Sequence, residues 1–132
     1  MKEFVNKTMY KMLVAVVIVG SVLTITMLCS FSLQKHLATK HIGEYVKAQG
    51  IDARLIGEKE SYRDWKNGGY VISVKYTDDP PNRYYYNYRL WTKKSGGKRK
   101  WHVISLDIIN EDTWIEIDEP YEGKCLHPPL HN

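Results

Sequence analysis

The stretch Cys125-Leu126-His127-Pro128-Pro129-Leu130-His131 sets a thiol and two imidazoles within seven residues of one another. All three are competent zinc or copper ligands. Three ligands on a proline-broken terminus make a weak site, with an affinity that depends on their deprotonation. The expectation is therefore a loose terminus without metal, with Cys125, His127 and His131 as weak metal candidates. Asp78 and Asp79 are adjacent carboxylates, but they precede Pro80-Pro81, where capping a turn suits them better than acid–base work. From Asp107 to Glu122 there are seven acids and no lysine or arginine. Oxygen clusters suit calcium, yet this spacing matches no calcium loop; docking a basic segment is the simpler use.

Lys93 to Lys100 reads KKSGGKRK. Its Ser95-Gly96-Gly97 lacks the upstream glycine and the strand-to-helix setting of a phosphate loop. No serine elbow, histidine–glutamate zinc motif or glycine-rich nucleotide loop occurs. No catalytic residue and no cofactor is therefore expected, and the chain reads as non-enzymatic.

The bias that remains is aromatic and cationic. Tyr84, Tyr85, Tyr86 and Tyr88 run together beside Arg83, Arg89 and Trp91. In a strand, alternate tyrosines go to the core and the others to a solvated face of aromatic–cationic pairs. On that face Tyr85 and Trp91 form a platform suited to a sugar ring or a peptide. The candidate binding surface is thus Tyr85, Arg89 and Trp91 with the basic tip Lys93, Lys94, Lys98, Arg99 and Lys100. The tip suits anionic headgroups or acidic polymers. Nucleic acid is not expected. The net charge is only +4, and Lys2, Lys7 and Lys11 against Glu3 supply about half of it, whereas general nucleic-acid affinity comes from neutralising phosphates.

These residues need elements to place them. Met12 to Phe31, MLVAVVIVGSVLTITMLCSF, carries no charge. As a helix it is about 30 Å long, enough to cross a bilayer's hydrocarbon core. It is too long for a signal-peptide core, and Leu28 before Cys29 argues against lipidation, so a retained anchor is expected. Lys2, Lys7 and Lys11 balance Lys35, Lys40 and Lys47 across it. A short charged tail before a first apolar segment stays inside, which predicts a cytoplasmic N-terminus and an extracellular domain. Cys125 then offers a labelling reporter for the side. The two cysteines are too far apart to suggest a disulfide framework.

Leu37, Ile42, Tyr45 and Val46 share one helical side, with Gly50 at the C-cap and Gly43 as an interior weak point. Beyond Gly50 the period becomes two. Expected strands are Ala53–Arg63, Tyr70–Thr77, Arg83–Trp91, Trp101–Ile108 and a short Thr113–Asp118. Turns fall at Asn67-Gly68-Gly69 and at Asp78 to Asn82, where two prolines cannot join a ladder. The predicted fold is α+β: a transmembrane helix running on into a helix packed on a four- to five-stranded antiparallel meander. The expected segments are a tail over 1–11, the span over 12–31, the domain over 32–119 and an irregular tail over 120–132.

Behind an apolar span, the segments HIGEYVKAQGI, YRDWKNGGYVISVKYTDDP and NRYYYNYR resemble a family of small single-span membrane proteins of Gram-positive bacteria with a domain of unknown function. The likeness covers roughly Glu44 to Arg89: an aromatic-flanked Asp64-Trp65-Lys66 turn, a strand ending in Asp78-Asp79-Pro80, and a tyrosine run. After Trp91 the basic loop and acidic part are longer than the family's pattern. The resemblance implies architecture and carries no activity or site residue.

The expected function is an interaction module anchored in the lipid bilayer by residues 12–31. It would face an envelope protein or an anionic surface polymer. The alternative is an accessory subunit of a membrane complex whose contact is the span itself.

Overall fold

The structure is a computed structural model of the chain and describes residues 1–93 and 99–130. It contains one helix, α1 (Lys2–Ala48), then a single 3₁₀ turn (Ala53–Leu55) and five strands: β1 (Ile56–Arg63), β2 (Tyr70–Tyr76), β3 (Asn82–Lys93), β4 (Arg99–Asn110) and β5 (Ile115–Glu116). Two compact units are present, Met1–Leu33 and Gln34–Asn132, and α1 contributes to both.

The first unit is helical from Lys2, so residues 2–11 are helical too. Its apolar side chains are exposed from Met1 to Leu28, and α1 is long and apolar enough to cross a membrane. The hydroxyls scattered along it do not demand water. Ser21, Thr24, Thr26 and Ser30 each donate to the carbonyl four residues back, which satisfies a polar group inside the helix itself.

In the second unit the helical segment from Gln34 buries Ala38 and Ile42 and half-buries Leu37, Tyr45 and Val46. The helix passes through Gly43 without interruption. It ends in a Schellman closure, in which Ile51 N–H donates to the Val46 carbonyl and Gly50 N–H to that of Lys47. Gly50 takes φ +78°, a conformation other residues adopt at a cost. Ile51 folds back into the core.

The sheet order is β1-β2-β3-β4-β5, every pair antiparallel, so the predicted meander is present. Strand limits differ at the ends. The first expected strand loses Ala53–Leu55 to a 3₁₀ turn nucleated by Asp52, whose carboxylate accepts from Arg54 N–H. The last shrinks to Ile115–Glu116.

The core is unusually rich in tyrosine. Tyr76, Tyr84, Tyr86 and Tyr88 are at most 1% exposed. They pack with Ile72, Val74 and Ile108 beneath Ala38 and Ile42 of the helix. A buried phenol needs a partner, and each has one. Tyr76 and Tyr86 join their hydroxyls at 2.7 Å, and Tyr86 donates to Gln49 Oε1 at 2.9 Å. Tyr84 donates to Asp79, and Tyr88 meets His102 Nδ1 at 2.7 Å. Burial raises the pKa of all four hydroxyls, most of all Tyr84 and Tyr86, so they stay neutral donors.

Candidate interaction surface

Alternation along β3 sends Tyr84, Tyr86 and Tyr88 to the helix side. Arg83, Tyr85, Asn87, Arg89 and Trp91 go to the opposite, uncovered face, as the spacing predicts. Their β4 partners in register are Ile109, Asp107, Ser105, Val103 and Trp101 respectively. The face therefore runs from Arg83 beside the β2–β3 turn to the Trp91–Trp101 pair near the end of the β3–β4 hairpin.

The two ends differ in character. At the turn end the charges are consumed internally. Arg83, only 13% exposed, donates to Glu58 Oε2 (2.8 Å), to Ser73 Oγ (3.0 Å) and through Nε to Glu111. Lys75 Nζ reaches the other Glu111 oxygen at 2.9 Å. Hydrogen bonds from Lys75 and Arg83 hold the Glu111 carboxyl below its usual pKa, and the same bonds raise those of Lys75 and Arg83. Midway, Asn87 donates to Asp107 at 2.8 Å.

At the hairpin end the surface is open. Arg89 is exposed, and Trp91 and Trp101 are 47% and 56% exposed directly across from one another. Opposite residues of an antiparallel pair stand about 5 Å apart at Cβ, so the two indoles share one patch. Lys93 pairs in register with Arg99, and Thr92 with Lys100. Lys94 and Lys98 lie outside the described residues.

The β1–β2 turn opens at the same end, since Arg63, Tyr70 and Tyr88 lie in register across three strands. Asp64 organises it by accepting from Lys66 and Asn67 N–H, both at 3.0 Å. These bonds keep its carboxyl pKa low. Trp65, 73% exposed, carries the Arg63 guanidinium 4.8 Å from its ring centre, a cation–π contact.

A second cluster forms at the far end, where the expectation of a loose terminus needs correction. The tail is irregular but packed. His127 Nε2–H donates to the Asp78 carboxylate at 3.0–3.1 Å, and its ring lies 4.9 Å from that of Tyr76. Gln49 donates to the carbonyls of His127 and Pro128, Leu126 N–H donates to Asp79, and Leu130 N–H to the Tyr45 hydroxyl. Asp79 also accepts from the Asn82 amide at 3.2 Å. The reason is complementarity: the turn carboxylates and helix-end amides offer partners that the tail's backbone takes.

The Cys125 thiol is pushed up by burial and by Asp79, which disfavours the thiolate. His127 is committed to Asp78. Among the described residues no three His, Cys, Asp or Glu side chains converge on a metal position; His131 lies outside them.

Three features escape the reading of motifs. Trp101 becomes part of the surface through strand register, recoverable only from the pairing of Trp91 with Trp101. Trp65 joins through the turn. His41 stacks on His102 at 4.1 Å between ring centres, with His102 at φ +51° inside β4. A left-handed residue mid-strand carries strain and has no sequence signature, although His is among the types that tolerate it.

These elements define an α+β protein with an apolar leading helix and one helix-covered antiparallel sheet. The chain belongs to the family described as protein of unknown function DUF3139, whose model matches residues 7–86. The match spans the apolar segment and ends inside β3, so the Trp91–Trp101 patch and the tail lie beyond it. No curated protein and no solved structure matches the chain.

Proposed function

We propose that this chain is a single-span membrane protein of a Gram-positive bacterium, with its N-terminus in the cytoplasm and its sheet domain outside the cell. The domain is a non-enzymatic interaction module that engages an envelope protein or anionic surface polymer through the uncovered β3–β4 face. The observation that carries the reading is the exposed Trp91–Trp101 pair beside Arg89. Aromatic and arginine side chains grouped in one patch are the usual anchors of recognition. The raised Cys125 thiol and the engaged His127 support the absence of catalysis. The uncharged run from Met12 to Phe31, with its hydroxyls internally bonded, supports the span.

Crosslinking the full-length protein in its own membranes, followed by capture, tests this. A Trp91→Ala/Trp101→Ala double variant is expected to lose the crosslinked partner while remaining membrane-bound at normal abundance. Retention of the partner by that variant sinks the reading. If replacing residues 12–31 with an unrelated apolar span abolishes the crosslink instead, the accessory-subunit alternative stands.

A further inference from the structure

Within the second unit the direction of the helical segment is fixed by its contacts. His41 stacks against His102 and Tyr88, Tyr45 against Tyr86, and Gln49 meets the Tyr86 hydroxyl and the His127 carbonyl. The segment therefore begins at the β3–β4 hairpin end of the sheet and finishes at the β2–β3 turn end. From His41 back to Gln34 is about 10 Å of helix. From Tyr88 on to Trp91 is about 10 Å of strand. The helical segment thus enters the domain roughly level with Trp91, and only Ser32 and Leu33 separate that point from the apolar run.

Charge is sorted along the same axis. At the entry end stand Lys35 and Lys40 of the helix, Arg89, Lys100, and the Lys93–Arg99 register pair. The exposed indoles of Trp65, Trp91 and Trp101 stand there too. The acid at that end, Asp64, is engaged by its own turn. At the opposite end lie Asp78, Asp79, Glu111, Asp112 and Glu116, in or beside the β2–β3 and β4–β5 turns, with the cations there, Lys75 and Arg83, paired to Glu111. Indoles seat at the headgroup level of bilayers, and basic residues are drawn to anionic lipid. An acidic far end is repelled by the same surface.

We propose that the hairpin end, centred on Trp65, Trp91, Trp101, Arg89 and Lys100, rests on the anionic headgroups of the bilayer that holds the protein's own span. This rests on the membrane-anchored reading above. It adds that headgroups occupy this patch while no partner is bound, and that a partner engaging Trp91 and Trp101 displaces them.

All four tryptophans lie outside residues 12–31, so their fluorescence reports on the domain alone. The full-length protein is reconstituted into vesicles of phosphatidylcholine with or without phosphatidylglycerol, each doped with lipid brominated close to the headgroup. The expected result is strong quenching with phosphatidylglycerol. It is lost in pure phosphatidylcholine, lost at about 1 M salt, where the screening length is about 3 Å, and lost in an Arg89→Glu/Lys100→Glu variant. A Trp65→Phe/Trp91→Phe/Trp101→Phe variant, which keeps Trp114 at the acidic end, is expected to show no quenching. Vesicles that float the protein but quench it independently of lipid charge, or quench Trp114 equally, overturn the lipid contact alone. Protein that fails to float with the vesicles overturns the anchored reading, and the lipid contact falls with it.

Discussion

Tyr86 shows what single residues do here. Its ring fills the core, and its hydroxyl ties Tyr76 on β2 to Gln49 just past the helix. Tyr86→Phe keeps the volume but leaves two buried groups short of a partner, at a cost of about 1–2 kcal/mol. The expected result is a melting temperature lower by roughly 5–10 °C; an unchanged value shows that the hydroxyl chain adds nothing. Glu111 gives the corresponding electrostatic test. Its carboxyl is held low by Lys75 and Arg83. Its stabilising effect is therefore complete above the ordinary carboxylate pKa of about 4.3 and is lost as pH falls through the depressed folded value. Glu111→Gln is expected to flatten the acid limb of a stability–pH curve below about pH 4. An acid limb as steep as that of the native chain would falsify the assignment. Cys125 is the residue where chemistry and usefulness part. Half-buried, with its thiol pushed up, it makes a poor labelling reporter despite its place in the sequence.

At the scale of elements, the β1–β2 turn depends on Gly69. The residue sits at φ +92°, and a Cβ there would run into the Tyr88 carbonyl of the neighbouring strand. Gly69→Ala is expected to destabilise the domain by about 1–3 kcal/mol, read as a shifted denaturation midpoint, whereas Gly43→Ala, with open space around it, is expected to be neutral or stabilising. Equal effects at the two positions would show that the turn imposes no such constraint. The sequence made the turn legible through Asn67-Gly68-Gly69, the helix end through Gly50, and the strand faces through the alternation of tyrosines. All three are local signals. What it hid depends on partners distant along the chain. Trp101 faces Trp91 only once the hairpin register is set, and Arg83, Glu58 and Glu111 meet only across three strands. The ordering of the tail around His127 and Asp78 is likewise tertiary; proline and histidine near a terminus read locally as a loose end. Of the expected basic tip, Lys93 and Arg99 pair in register, and Lys94 and Lys98 lie outside the described residues.

At the scale of the molecule, two properties act together. The leading helix is long and apolar enough to cross a membrane, and within the second unit the helical segment from Gln34 starts at the hairpin end of the sheet. Exposed cations stand beside the indoles at that end, while at the other end Lys75 and Arg83 are paired with Glu111 among the acids. The proposed interaction and the proposed lipid contact both require a retained span with the sheet domain outside. The direct measurement uses Lys59→Cys, at an exposed position on β1, in a chain whose own cysteines are replaced by serine. Intact cells are treated with a membrane-impermeant maleimide, and their membranes are then washed at alkaline pH. The expected result is a full-length chain that stays in the washed membranes and is labelled in intact cells. Labelling only after lysis, or a shortened chain in the medium, would contradict it.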